Sequence, residues 1–92
     1  MALMFSWDET KASENEAKHG VAFMEAATVF GDPLSLTIFD PDHSRAEDRF
    51  LTIGMSYRRR LIVVWHVDGG DEIRIIGARP ATPRERRAYE QG

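Results

Sequence analysis

Between Arg49 and Ala78, three segments rich in β-branched and aromatic residues follow one another: Arg49–Met55, Arg60–Val67 and Glu72–Ala78. The connections between them are too short for a crossover, so the strands must lie beside one another as an antiparallel meander. Asp68-Gly69-Gly70-Asp71 supplies the turn chemistry of a hairpin. A sheet of this kind needs one face covered, and the covering elements have to come from the rest of the chain.

The N-terminal half offers them. Leu3–Ser6 reads as a short strand, and Asp8 is suited to cap a helix over Glu9–His19 that Gly20 then stops. Phe23, Ala26, Ala27 and Phe30 recur at helical spacing, and Gly31 and Pro33 end that second helix. Leu34–Phe39 alternates as a further short strand before the turn Asp40-Pro41-Asp42. At the other end, Thr82-Pro83-Arg84-Glu85 is a capping box that opens a last helix through Tyr89. The core order is β-α-α-β-β-β-α. This is an α+β domain, two N-terminal helices on an antiparallel sheet with a C-terminal helix.

With 92 residues, the chain is one domain, residues 1–92, and buries only about 60% of its unfolded surface. It has no cysteine, which excludes disulfides, a thiol nucleophile and thiolate metal sites. The longest apolar run, Leu61–Trp65, is far too short to span a bilayer, and Met1–Phe5 lacks the pattern of a signal peptide. A small soluble cytoplasmic domain is the expectation.

The net charge of −3 conceals a split. Residues 1–44 carry two lysines against eight acids, whereas residues 45–92 carry all ten arginines against seven acids. Arginine grips phosphate in two places and stacks on bases, so the second half points to an anion-binding face. A solvated charged surface would show the same composition.

Gly54-Met55-Ser56-Tyr57-Arg58 lacks the second glycine of a serine nucleophile elbow, and no phosphate-cradling glycine loop occurs. Asp40, Asp42 and His43 could meet a metal, yet a capped turn explains them equally well, and no metal or cofactor is expected. Trp7 and Trp65 could stack on bases, although the apolar strand around Trp65 favours packing. His19 ends its helix, where a cation also suits the dipole. What remains is Arg49, the run Arg58-Arg59-Arg60, Arg74 and Arg79. Arg74 and Arg79 are separated by an odd number, so they share a sheet face only if their strand bulges or ends early. Metal-free RNA cleavage needs a base for the 2′-hydroxyl, cations for the developing charge and an acid for the leaving group. Arginine meets only the second need; a histidine, glutamate or tyrosine must supply the others.

The chain resembles BrnT-type toxins over residues 4–90. In the first half the likeness rests on Trp7-Asp8, Lys11, Asn15, Lys18-His19-Gly20-Val21, Phe23, Glu25-Ala26, Val29-Phe30 and Asp32-Pro33. In the second half it rests on Asp40, His43-Ser44, Glu47, Arg49-Phe50, Ile53-Gly54-Met55-Ser56, Ile73-Arg74-Ile75-Ile76, Ala78-Arg79 and Glu85-Arg86. Arg59 departs from the pattern, standing where glycine is common, as does Gly77, where serine is usual.

The resemblance implies a RelE-like fold and a metal-independent ribonuclease toxin that inhibits translation. It also implies a BrnA-type antitoxin, a ribbon-helix-helix protein that binds the toxin directly and alone contacts DNA. On this reading Arg60, Arg74 and Arg79 bind phosphate and stabilise charge, His19 transfers protons with Tyr89 in reserve, and Lys18, Arg49, Arg58 and Arg59 position RNA. The competing reading is a non-catalytic or attenuated module whose arginine face docks an acidic partner.

Overall fold

The computed structural model describes residues 4–44 and 46–92. Leu3, Arg45 and the start of the chain therefore lie outside the described residues. The elements are β1 (Met4–Ser6), α1 (Glu9–His19), α2 (Phe23–Thr28), β2 (Leu36–Phe39), β3 (Phe50–Met55), β4 (Leu61–Gly69), β5 (Glu72–Pro80) and α3 (Pro83–Gln91). β2 is the strand expected at Leu34–Phe39, and counting it the chain has five strands, one more than the core order β-α-α-β-β-β-α. Among the described residues no helix is long and apolar enough to cross a membrane.

The five strands form one sheet in the order β1-β5-β4-β3-β2. β2 to β5 pair antiparallel in sequence, as their short connections require, whereas β1 joins β5 in parallel. The expectation of a wholly antiparallel sheet is thus corrected to a mixed one. The physical reason is the long connection: everything from α1 to β4 separates β1 from β5, so turn length places no constraint on their direction.

Local signals set the helix ends. Asp8 accepts a hydrogen bond from the Lys11 N–H, and Gly20 closes α1 in the left-handed region at φ 70°. The second helix is shorter than its apolar spacing suggests, because it tightens into a 3-10 turn over Val29–Gly31. Here Val29 packs on Gly54 of β3; a Cβ at Gly54 would lie 2.7 Å from Val29 Cγ1, so only glycine lets the two elements approach. Thr82 and Glu85 form the expected capping box of α3.

Two apolar clusters lie on opposite sides of the sheet. On the helix face, Val21, Phe23, Ala26 and Val29 pack on Ile62, Val64, Ile75 and Ala78. Each large side chain buried there contributes roughly 1.5–3 kcal/mol. On the other face, Ile53, Leu61 and Val63 are covered by Ala81 and by Tyr89 of α3 at one end only, leaving the remainder open. Asn15 fixes α1 to the sheet. Its amide donates to the Ala78 carbonyl at 2.9 Å and its oxygen accepts from the Ala78 N–H at 3.1 Å, closing the edge of β5 that β1 leaves uncovered.

His66 lies wholly inside the helix face, between the rings of Phe30 and Phe50. Its Nε2 meets Thr52 Oγ1 at 2.7 Å and its Nδ1 meets Asp68 Oδ1 at 2.6 Å, so both nitrogens are satisfied. Burial nevertheless lowers its pKa, because desolvation of the cation outweighs the nearby Asp68.

Candidate functional site

The register of the sheet fixes what its open face displays. Side chains alternate, so residues opposite one another across β2, β3, β4 and β5 fall into rows on that face. One row holds Asp40, Arg49, Val67 and Arg74; the next holds Ile38, Leu51 and Trp65; a third holds Leu36, Ile53, Val63 and Arg79.

Arg74 and Arg79 share this face because β5 bulges. Trp65 pairs with Gly77 but His66 pairs with Ile75, which leaves Ile76 as an extra residue and inverts the alternation. Ile75 and Ala78, three residues apart, are accordingly both buried on the helix face.

Around Trp65 the polar groups converge. The Arg79 guanidinium lies 5.0 Å from the centre of the indole ring. Its two terminal nitrogens each donate to a Glu85 oxygen at 2.8 Å, which keeps Glu85 ionised, with a pKa held below the usual carboxylate value. Arg74 is paired with Glu47. Arg49 makes no ion pair among the described residues and lines a depression of about 240 Å³ with His43, Trp65, Ile76 and Gly77.

His43 is the histidine on this face, beside Arg49 and Trp65. It sits in a 3-10 turn, Pro41–His43, and its Nδ1 is 2.7 Å from Asp40 Oδ2. The loop is closed by Ser44, whose hydroxyl donates to the Asp40 carbonyl and accepts from the Arg49 N–H. Since a carboxylate only accepts, Nδ1 carries the hydrogen, and in the neutral ring Nε2 is left with a free lone pair. Among the described residues no three His, Asp or Glu side chains converge as a metal site would require.

Apart from Tyr89, the remaining sequence candidates lie elsewhere. Arg60 points to the helix face, where Nε donates to Glu25 Oε2 at 2.9 Å and Nη2 to Glu25 Oε1 at 2.5 Å and to the Gly20 carbonyl at 3.0 Å. Glu25 is only 3% exposed and also accepts from the Ser56 hydroxyl, so this arginine neutralises a buried carboxylate. Lys18 and His19 occupy the last turn of α1, also on the helix side. Tyr89 donates its hydroxyl to Asp32 at 2.5 Å; that bond raises the tyrosine pKa, so the phenol stays protonated at neutral pH. The structure therefore brings together Arg49, Arg74 and Arg79 and separates them from Arg60 and His19, whereas Tyr89 covers one end of the same face with its hydroxyl given to Asp32. Sequence reasoning did not select the pairing of His43 with Asp40, although its i, i+3 spacing in a Pro-containing turn was the available signal.

A family model described as the ribonuclease toxin BrnT of type II toxin–antitoxin systems matches residues 7–85. Among solved structures, the chain is similar to the crystal structure of the Brucella abortus ribonuclease toxin BrnT. The two are 25% identical with a TM-score of 0.63, and the match covers 88% of this chain and 99% of that one. Comparison with curated proteins gives no match. The resemblance read from the sequence is thus borne out, and the chain belongs to the BrnT family of ribonuclease toxins of type II toxin–antitoxin systems.

Proposed function

We propose that this chain cleaves RNA on the open face of its sheet, without a metal ion, and thereby arrests translation in the cytoplasm. The observation that carries this reading is the grouping of Arg49, Arg74 and Arg79 with the His43–Asp40 pair around Trp65. Trp65 offers a ring on which a base can stack. His43 Nε2 takes the 2′-hydroxyl proton as the 2′-oxygen bonds to phosphorus; the bond to the 5′-oxygen breaks and that oxygen takes a proton from solvent. Asp40 orients the ring, and the arginines stabilise charge building on the phosphorus oxygens. His43 suits the proton-transfer role better than His19, which lies on the helix side, and better than Tyr89, whose hydroxyl is already given to Asp32.

A BrnA-type antitoxin, a ribbon-helix-helix protein through which alone DNA is reached, neutralises the toxin by direct binding. Arg79 and Arg74 already hold Glu85 and Glu47, so the same forks can accept acidic side chains of such a partner.

Purified protein incubated with a long RNA in excess chelator tests the reading. Cleavage that persists in chelator and disappears in His43→Ala is the expected result. Intact RNA with folded protein, or cleavage restored by one added divalent ion, overturns it.

A further inference from the structure

The turn between β3 and β4 carries a backbone strain that its fold does not require. Arg59 has φ 61°, the one non-glycine residue in the left-handed region among the described residues. A side chain there is disfavoured, and glycine would adopt the same conformation without cost. The turn is nonetheless tightly built. The Ser56 N–H donates to the Arg60 carbonyl, the Arg59 N–H to the Ser56 carbonyl, and the Tyr57 N–H to the Thr28 hydroxyl. Ser56 Oγ, itself bound to Glu25, accepts from the Arg58 and Arg60 N–H groups.

This rigid frame holds three large side chains out in solvent. Tyr57 is 72% exposed, the Arg58 side chain is 59% exposed, and Arg59 is exposed with no ion pair among the described residues. Arg58 approaches Glu25 only at 3.9 Å, and that carboxylate is already neutralised by Arg60. The Arg60 bond to the Gly20 carbonyl pins the end of α1, whose last turn carries Lys18, to the same corner. An exposed aromatic ring beside cations, on a frame that needs no further ordering, is the arrangement that grips a nucleic-acid strand through phosphates and one stacked base.

We infer that Tyr57, Arg58 and Arg59, with Lys18, form a second RNA-binding site, which grips the phosphate backbone of a long RNA away from the open face. The inference rests on the RNA-cleaving reading. Because α3 covers the open face at this end of the sheet, the corner and the Trp65 depression engage different segments of one RNA. The strain at Arg59 is then the cost of aiming a cation.

The test compares the wild type with Arg59→Gly, Arg58→Ala and Tyr57→Ala, using a single-stranded RNA of about 30 nucleotides and a tetranucleotide at several salt concentrations. Release of one phosphate contact at 0.1 M salt is worth about fivefold in affinity and about 0.7 in the salt slope for single strands. Arg59→Gly and Arg58→Ala should each show that loss on the long RNA, and Tyr57→Ala about tenfold, with tetranucleotide cleavage unchanged. Arg59→Gly should also raise Tm by about 4 °C, so weaker binding cannot be ascribed to unfolding. Arg84→Ala, a loss of exposed charge on α3, should leave all these quantities as they are.

Unchanged long-RNA affinity and salt slope in the turn variants overturn the inference. So does an equal loss on the tetranucleotide, which would make the turn part of the cleavage site, or a loss confined to binding of an acidic protein. Failure of the wild type to cleave any RNA would instead remove the reading on which the inference rests.

Discussion

The guanidinium of Arg79 is held by two partners of different kinds: the Trp65 ring, whose centre lies 5.0 Å away, and the Glu85 carboxylate, which accepts from both terminal nitrogens at 2.8 Å. The stack fixes the plane of the fork and the carboxylate fixes its direction, so its geometry is set before any substrate arrives. Arg79→Ala should lower single-turnover cleavage by roughly 10²–10³-fold, the scale of losing one charge-stabilising donor. Arg79→Lys should not fully rescue, because an ammonium lacks the planar fork. Glu85→Gln keeps the capping box, which accepts either residue, and isolates the effect of the charge pair; its activity should lie between the two. Wild-type rates in folded Arg79→Ala would remove Arg79 from the site.

Arg60 should behave in the opposite way. Its removal strands the buried Glu25, so Arg60→Ala should cost roughly 3 kcal/mol of stability, measured by urea unfolding. The loss of cleavage should follow the loss of folded protein. If Arg60→Ala keeps its Tm and loses only turnover, the arginine acts on substrate instead.

The same pair predicts sensitivity to acid. Arg60 hydrogen bonding holds the Glu25 pKa below its ordinary 4.5 in the folded chain. A depressed carboxylate contributes stability above the unfolded value, and that contribution is lost as pH falls through the lower folded value. Unfolding free energy should therefore drop below about pH 4.5, and Glu25→Gln, already destabilised, should show a shallower drop.

His66 acts at higher pH with a related sign. Its folded pKa lies below the unfolded 6.5, so the unfolded chain binds more protons just under that pH. Stability should fall as pH drops below about 6.5, at no more than about 1.4 kcal/mol per pH unit. A His66→Gln variant that keeps this slope would show that another group is responsible.

Tyr89→Phe separates an anchor from a catalyst. Loss of its hydrogen bond to Asp32 should cost about 1–2 kcal/mol and loosen α3, while cleavage by the folded fraction stays near the wild-type rate. A large loss of turnover at full folding would return Tyr89 to the reaction.

The strands, helix caps and turns were legible because each is dictated by residues close in sequence: Asp8 and Gly20 bound α1, Thr82 and Glu85 open α3, and Asp68–Asp71 turns β4 into β5. The family was legible for a related reason, since an ordered set of local motifs survives without any knowledge of contacts. The site was only partly so. Arg49, Arg74 and Arg79 could be named as cations, but their common face depended on a bulge at Ile76 that no residue pattern announces.

Sequence alone determined the supply of parts: an antiparallel meander, two covering helices, a capped C-terminal helix and ten arginines confined to the second half. Tertiary structure decided how those arginines are spent. β1 pairs parallel because a long connection leaves direction free, and Arg60 turns inward because Glu25, 35 residues away, is buried beside it. Side-chain alternation follows from backbone geometry and can be counted along a strand. Which charge meets which across the fold is set by long-range packing, where a carboxylate removed from water must find its cation.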